Sequence, residues 1–240
     1  MSLRVRVDVL PQGDYSGAAI VVDVLRATTT ATTFLEQGAA EVILAPSPAA
    51  AHLLGQAQDR PSLLAGERGG LKMDGFDLGN SPQEAAAQRW DGQSIIMNTT
   101  NGTAAAHIAA RSAWPVFLGC LRNAPAAAKA ALDSGVTEVT VVCAGTDGMV
   151  SMDDVYAAGA LVHHLNALQP CVPDDSALIA HTLLTRWPPG DALRRSWHGR
   201  RLLTLELEAD LEFCAQVGVS QCVPTLLETR GGGLVFGAGA

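Results

Sequence analysis

Lysine is nearly absent from this chain. Of 240 residues only Lys72 and Lys129 are lysine, and 24 acidic side chains outnumber 16 basic ones, for a formal net charge of −8. No basic run exists to neutralise a phosphate backbone, so no nucleic-acid partner is expected. Cysteine is scarce and odd in number: Cys120, Cys143, Cys171, Cys214 and Cys222 include no C-x-x-C, which excludes a disulfide framework and a zinc ribbon. No uncharged apolar run reaches 18 residues, and the opening MSLRVRVDVLPQGDYSG meets charges before any apolar h-region. No membrane span or secretory leader is therefore expected, and the chain reads as cytoplasmic with reduced thiols. What it does have is apolar mass. At 48% hydrophobic content it can build a sizeable core, and its length fits a single domain over 1–240.

Periodicity places the elements. Arg4 to Leu10 alternates and reads as a half-exposed strand, whereas Ala18 to Val24 is continuously apolar, the mark of a strand buried on both faces. Further strands are expected at Glu41–Ala45, Leu63–Ala65, Ser94–Asn98, Val116–Leu118 and Val139–Cys143. Helices fall between them at Thr28–Gln37, Ala49–Gln58, Gly102–Arg111 and Asn123–Leu132, and from Ser151 to about Ala167. Ser81 with Glu84, and Ser151 with Asp154, have the spacing of capping boxes, and Pro82 suits a first helical position. Gly66 to Asn80 reads as a long Gly-rich loop, 175 to 217 as helical, and 231–240 (GGGLVFGAGA) as a loose tail. Strands alternating with helices predict an α/β fold. The motif Asp23-Val-Leu-Arg26-Ala27-Thr28 lies opposite Asn98-Thr-Thr-Asn101-Gly102-Thr103 at a constant offset (98 − 23 = 101 − 26 = 103 − 28 = 75). That correspondence suggests an internal duplication with repeat units near 18–60 and 94–135. Either way, residues that follow strands collect beside helix N-termini.

Four polar segments compete for a site. In VVDVLRATTT, Asp23 is a carboxylate at a strand end, Arg26 offers a fork suited to phosphate, and Thr28 can open a helix whose amides attract anions. A closed turn, with Asp23 capping it and Arg26 paired to it or lying in solvent, is the competing reading. GERGGLKMDGFDLGNSP brings Glu67, Asp77, Asn80 and Ser81 among glycines that let the backbone approach a ligand. NTTNGT places Asn101, Gly102 and Thr103 at a helix start, a neutral nest for an anion. In CAGTDGMVSMDD the capping role accounts for Asp154, leaving Asp153 as the functional candidate, and Cys143 reads as a small buried residue rather than a nucleophile.

Sharper templates fail. GERGGLK lacks P-loop spacing, Met149 stands where a Cys phosphatase loop needs arginine, and Asp23 is followed by Val24 and Leu25 rather than completing Asp-x-Asp. No H-E-x-x-H occurs, and the histidines are scattered, so oxygen ligands and a hard cation fit better than zinc. Acidic and amide groups around one arginine suggest Mg2+ with a phosphate ester.

Taken in order, VVDVLRATTT, GERGGLKMDGFDLGNSP, TTNGT and CAGTDGMVSMDDVYAAG resemble the 2-phosphosulfolactate phosphatase family of coenzyme M biosynthesis, as does ADLEFCAQVGVSQCVP at 209–224. The resemblance spans about residues 3 to 230. It implies a three-layer α/β/α fold with a mixed or mostly parallel sheet, and a Mg2+-dependent phosphatase converting 2-phosphosulfolactate to sulfolactate and phosphate. It places Asp23, Arg26, Glu67, Asp77, Asn80, Ser81, Asn101, Thr103 and Asp153 in or near the site. On that basis Asp23, Asp153 and Glu67 or Asp77 would hold Mg2+, with Arg26 and the amides near Asn101–Thr103 on the phosphate. Asn80 and Ser81 would serve the sulfonate or carboxylate, and Asp23 would be a ligand or a nucleophile. Asp153 stands where the family pattern suggests Glu, and 168–200 departs from it. A phosphatase of another phosphorylated hydroxy acid and a non-catalytic binder of small anionic acids are the alternatives. A homodimer is the expected assembly, closed two-fold pairs being commonest.

Overall fold

The computed structural model describes residues 2–239. Met1, the first residue of the single expected domain, and Ala240, the last of its tail, thus lie outside the described residues. In chain order the strands and helices begin β1 (Leu3–Asp8), β2 (Ala18–Val22), α1 (Ala27–Glu36), β3 (Glu41–Leu44), α2 (Pro48–Gln56) and β4 (Ser62–Arg68). They continue with β5 (Leu71–Lys72), α3 (Pro82–Ala86), β6 (Ser94–Asn98), α4 (Gly102–Ala109), β7 (Val116–Gly119), α5 (Ala124–Asp133) and β8 (Glu138–Cys143). The last third holds α6 (Met152–Leu168), β9 (Cys171–Pro173), α7 (Asp175–Leu183), α8 (Pro189–Arg195), α9 (Trp197–Thr204), α10 (Glu208–Cys214), β10 (Pro224–Arg230) and β11 (Gly233–Ala238).

The strands form one mixed sheet in the order β5-β4-β6-β3-β11-β10-β7-β2-β8-β1-β9. Two parallel halves, β4-β6-β3 and β7-β2-β8-β1-β9, are joined by the antiparallel hairpin β10–β11. Alternation sorts the side chains into layers. Ala19 and Val21, Val42 and Leu44, Ile95 and Met97, Val116 and Leu118 all enter one core with α1 and α4. Their neighbours Ile20 and Phe117 enter a second core with α5 and α6, and Ile43 and Ile96 a third with α2. Helices thus cover both faces, giving the three-layer α/β/α architecture. The chain after β6 meets the chain after β2 at the start of α4, where Gly102 packs against Asp23.

The expected loose tail is instead central. Leu234 and Phe236 fill the inner core and Val235 the outer one, while Gly231 and Gly232 take the positive φ of the hairpin turn. Arg230 anchors the hairpin to β3 by ion-pairing with Glu41 at 2.9 Å. A glycine-rich stretch reads as loose only when its partner strands are out of view. The 66–80 loop is also shorter than expected, because β4 runs on to Arg68 and pairs with β5.

Helices α6 and α7 cross where Gly159 lets them touch. A Cβ there would stand 2.1 Å from the Ala180 carbonyl oxygen. Gly159→Ala should therefore destabilise the fold by about 1–3 kcal/mol despite alanine's better helix propensity, read as a lower midpoint in urea at unchanged slope.

Candidate active site

The site begins where β2 ends. Asp23 is buried, and its backbone N–H and C=O both bond the Thr28 hydroxyl (3.2 and 2.9 Å), while its Oδ1 accepts the Ala27 amide at 3.3 Å. Thr28 is thus occupied in fixing the turn rather than facing a ligand. Opposite, a Cβ on Gly102 would lie 2.7 Å from Asp23 Oδ2, so only glycine lets α4 begin against this carboxylate. Arg26 is 3% exposed; it donates to Asp210 Oδ2 and to the Gly70 carbonyl, each at 2.6 Å. The capped-turn reading pairs Arg26 with Asp23, but the structure pairs it with a residue 184 positions away.

Glu67, at the end of β4, has both oxygens engaged. Oε1 accepts the Thr100 amide and hydroxyl at 2.9 Å, and Oε2 accepts the Gly70 amide at 2.8 Å. Burial pushes its carboxyl up, but these bonds and Arg26 more than reverse that, so it stays ionised. Asn80 is buried with its Oδ1 unpartnered, and the neighbouring Ser81 hydroxyl donates to Asp210 Oδ1 at 2.5 Å while capping α3 through the Glu84 amide. Asp77 is not brought here: it is exposed and accepts the Leu64 amide at 2.8 Å, holding the loop to β4.

The third wall comes from the turn after β8. Asp153 is fully buried; Oδ1 accepts the Ser151 hydroxyl, and Oδ2 has no hydrogen bond, with His198 Nδ1 3.7 Å away. The expected capping box is absent, because Ser151 spends its hydroxyl on Asp153 rather than on a helix amide. Asp154 accepts the amides of Val24 (2.9 Å) and Gly145 (3.0 Å), pinning the ends of β2 and β8 together. Burial, with Asp153 and Asp23 nearby, pushes its carboxyl well above the ordinary range. Cys143 is buried with its thiol likewise raised by burial, as expected of a packed residue rather than a nucleophile.

One cavity joins these walls. Asp23, Arg26, Glu67, Asn80, Thr100 and Asn101 line it, together with Thr146, Asp147, His198 and Arg201. Thr103 stands behind, its hydroxyl shared with Thr99 at 3.1 Å. Two features shape the charge. Burial pushes Asp23 up to about 6, opposed by His198 and reinforced by Glu67 and Asp153. Burial pulls His198 down, but Asp153 and Asp23 outweigh it and hold the imidazole above its ordinary value. At the mouth, Arg201 pairs with Asp147 at 3.3 Å.

His198, Arg201 and Asp210 have no counterpart among the sequence candidates. His198 lies in the 168–200 stretch that departs from the family pattern and Arg201 just beyond it; Asp210 lies within the 209–224 motif but acts only through partners more than a hundred residues distant. A divalent cation is the implied cofactor, so its donors matter. Among the described residues no group of three or more His, Cys, Asp and Glu is placed to hold a metal ion. The four-carboxylate set does not fully converge: Asp77 is outside the cavity, and Glu67 lines it with both oxygens already hydrogen-bonded, to Thr100 and Gly70. What remains is Asp23 and Asp153, the latter with a buried oxygen that has no partner. Mg2+ is commonly held by one or two carboxylates plus waters and substrate phosphate, and this donor set fits that pattern.

The profile of the 2-phosphosulpholactate phosphatase family matches residues 5–229. A "Probable 2-phosphosulfolactate phosphatase" of Deinococcus radiodurans is 49% identical, covering 99% of this chain and 100% of that protein. Proteins given the same name in Thermus thermophilus and Caldanaerobacter subterraneus are 45% and 40% identical. They cover 98% and 86% of this chain and 99% and 86% of their own.

Proposed function

We propose that this chain, which belongs to the 2-phosphosulfolactate phosphatase family, hydrolyses 2-phosphosulfolactate to sulfolactate and inorganic phosphate. The observation that carries the reading is one cavity that gathers the buried Asp23 with Arg26 and His198, and beside it Asp153, whose unpartnered Oδ2 lies 3.7 Å from His198 Nδ1. Such a pocket suits a phosphate ester and its charge-balancing cation, because phosphoryl transfer needs positioning and charge neutralisation more than covalent help. Asp23 and Asp153 are the residues that would hold Mg2+. Bound there, the cation supplies Lewis-acid polarisation of the phosphoryl group and a water of lowered pKa.

The chain's own groups do the rest. Arg26, pre-oriented by Asp210 and Gly70, presents its remaining N–H groups to phosphate oxygens. Asp153 and Asp23 raise the affinity of the His198 ring for a proton, and Asp153 faces its Nδ1, which leaves Nε2–H as the group that would protonate the departing sulfolactate oxygen. Asn80, beside the cavity with unmet hydrogen-bonding capacity, and Arg201 at its mouth would receive the carboxylate and sulfonate. The test is phosphate release over a panel of phosphorylated hydroxy acids, with Mg2+ and with EDTA. Release from the sulfonated ester, lost in EDTA, is expected; tight binding of every ester without release from any would overturn hydrolysis in favour of a binder.

A further inference from the structure

We propose that the chain carries a second, non-catalytic site for a tetrahedral oxyanion, phosphate or sulfonate, in the cleft on the far side of Glu67, with Arg68 and Arg111 as its cationic walls. The proposal does not rest on the reaction above. Consecutive strand residues point to opposite faces, so while Glu67 enters the candidate active site, Arg68 enters a separate cleft of about 330 Å³. That volume is within the usual range for ligand pockets, ~300–1,000 Å³. The polar lining comprises Arg68, Arg111, His107, Asn98 and the threonines around the start of α4, and contains no Asp or Glu. In a chain of net charge −8 this is unusual. Neither arginine has an ion-pair partner among the described residues.

Arg68 is also held ready. Its Nη1 donates to the Glu67 carbonyl at 2.6 Å and its Nη2 to Asn98 Oδ1, while Asn98 is itself fixed by donating to the Ala45 carbonyl at 2.7 Å. A guanidinium anchored through two of its N–H groups and lacking a carboxylate has its charge available, and its fork matches a tetrahedral oxyanion. Arg111 brings a second charge across the cleft. His107 engages the Leu44 carbonyl through Nε2 at 3.0 Å, and burial together with Arg111 keeps its ring below the ordinary pKa. An anion bound beside it would reverse that influence, which makes His107 a local reporter. Thr100, whose hydroxyl donates to Glu67, lines both cavities and connects the two sites.

The experiment follows the His107 ring by NMR while the full chain is titrated with inorganic phosphate and, separately, with methanesulfonate. A saturable shift with either anion, and a higher ring pKa at saturation, is expected; which anion titrates identifies the ligand. Arg111→Gln, at an exposed position outside the catalytic cavity, should weaken that Kd by about tenfold or more, while phosphate-ester turnover stays unchanged. No saturable shift with either anion, or an unchanged Kd in the folded variant, overturns the proposal. Because the readout is local to His107, failure of the panel assay would leave this result standing, and the reverse holds too.

Discussion

Asp23→Asn is expected to lower phosphate-ester turnover by about 10²–10³-fold or more while leaving the fold as stable as the parent, or more so. Asparagine keeps the shape and still accepts the Ala27 amide through Oδ1, so the turn after β2 should survive. What is lost is the charge that, in the function proposed above, would hold the cation. Stability should move the other way. In metal-free protein the Asp23 carboxyl titrates at about 6 against an ordinary 3.8, so the folded chain binds this proton more tightly than the unfolded chain does. Stability from this group is therefore greatest below about 3.8, falls as pH climbs through about 6, and stays low at pH 7. The cost there is of the order of 3 kcal/mol, and asparagine removes it. Thermal melts in EDTA at pH 7 beside turnover in Mg2+ check both halves. A fully active variant would remove Asp23 from the site, and a large drop in Tm would make it structural instead.

Asp210→Ala is expected to cost about 3–5 kcal/mol, because it strands the Arg26 guanidinium, 3% exposed, without a counter-charge. For a chain of this size that corresponds to a Tm roughly 10 °C lower. Asp210 also receives the Ser81 hydroxyl, so its loss frees the start of α3 and with it Asn80. Activity should fall with stability. The double variant Asp210→Leu with Arg26→Met should recover much of the stability and none of the activity, since the buried charge goes along with the group proposed to hold the phosphate. If Asp210→Ala melted like the parent, Arg26 would have found water or another partner, and its pre-orientation would not depend on α10.

How much of this was legible in the residues follows their range. The double-faced burial of β2 is local, and the continuous apolar run Ala18–Val24 announced it. The Ser81 cap of α3 is equally local and matches its spacing. Ser151 and Asp154 have the same spacing, yet there the serine turns to Asp153 and Asp154 to two strand ends, because the pattern cannot register what lies across the sheet. The 231–240 stretch misled for a related reason: glycine signals freedom, but Leu234, Val235 and Phe236 alternate between two cores once β3 and β10 flank them. Asp23 and Glu67 were legible as acids near strand ends and Asp153 as an acid at a helix start; the cavity unites the first two, and Asp153 reaches it through His198. His198 and Arg201 were not, since a helix of unremarkable sequence places them there and no spacing records which cavity that helix closes.

The measurement that bears most directly on the central claim is the release of inorganic phosphate from 2-phosphosulfolactate by the wild-type chain. The account predicts steady, multiple-turnover release in Mg2+ that EDTA abolishes and added Mg2+ restores. Binding of that ester without release of phosphate at any Mg2+ concentration would contradict it.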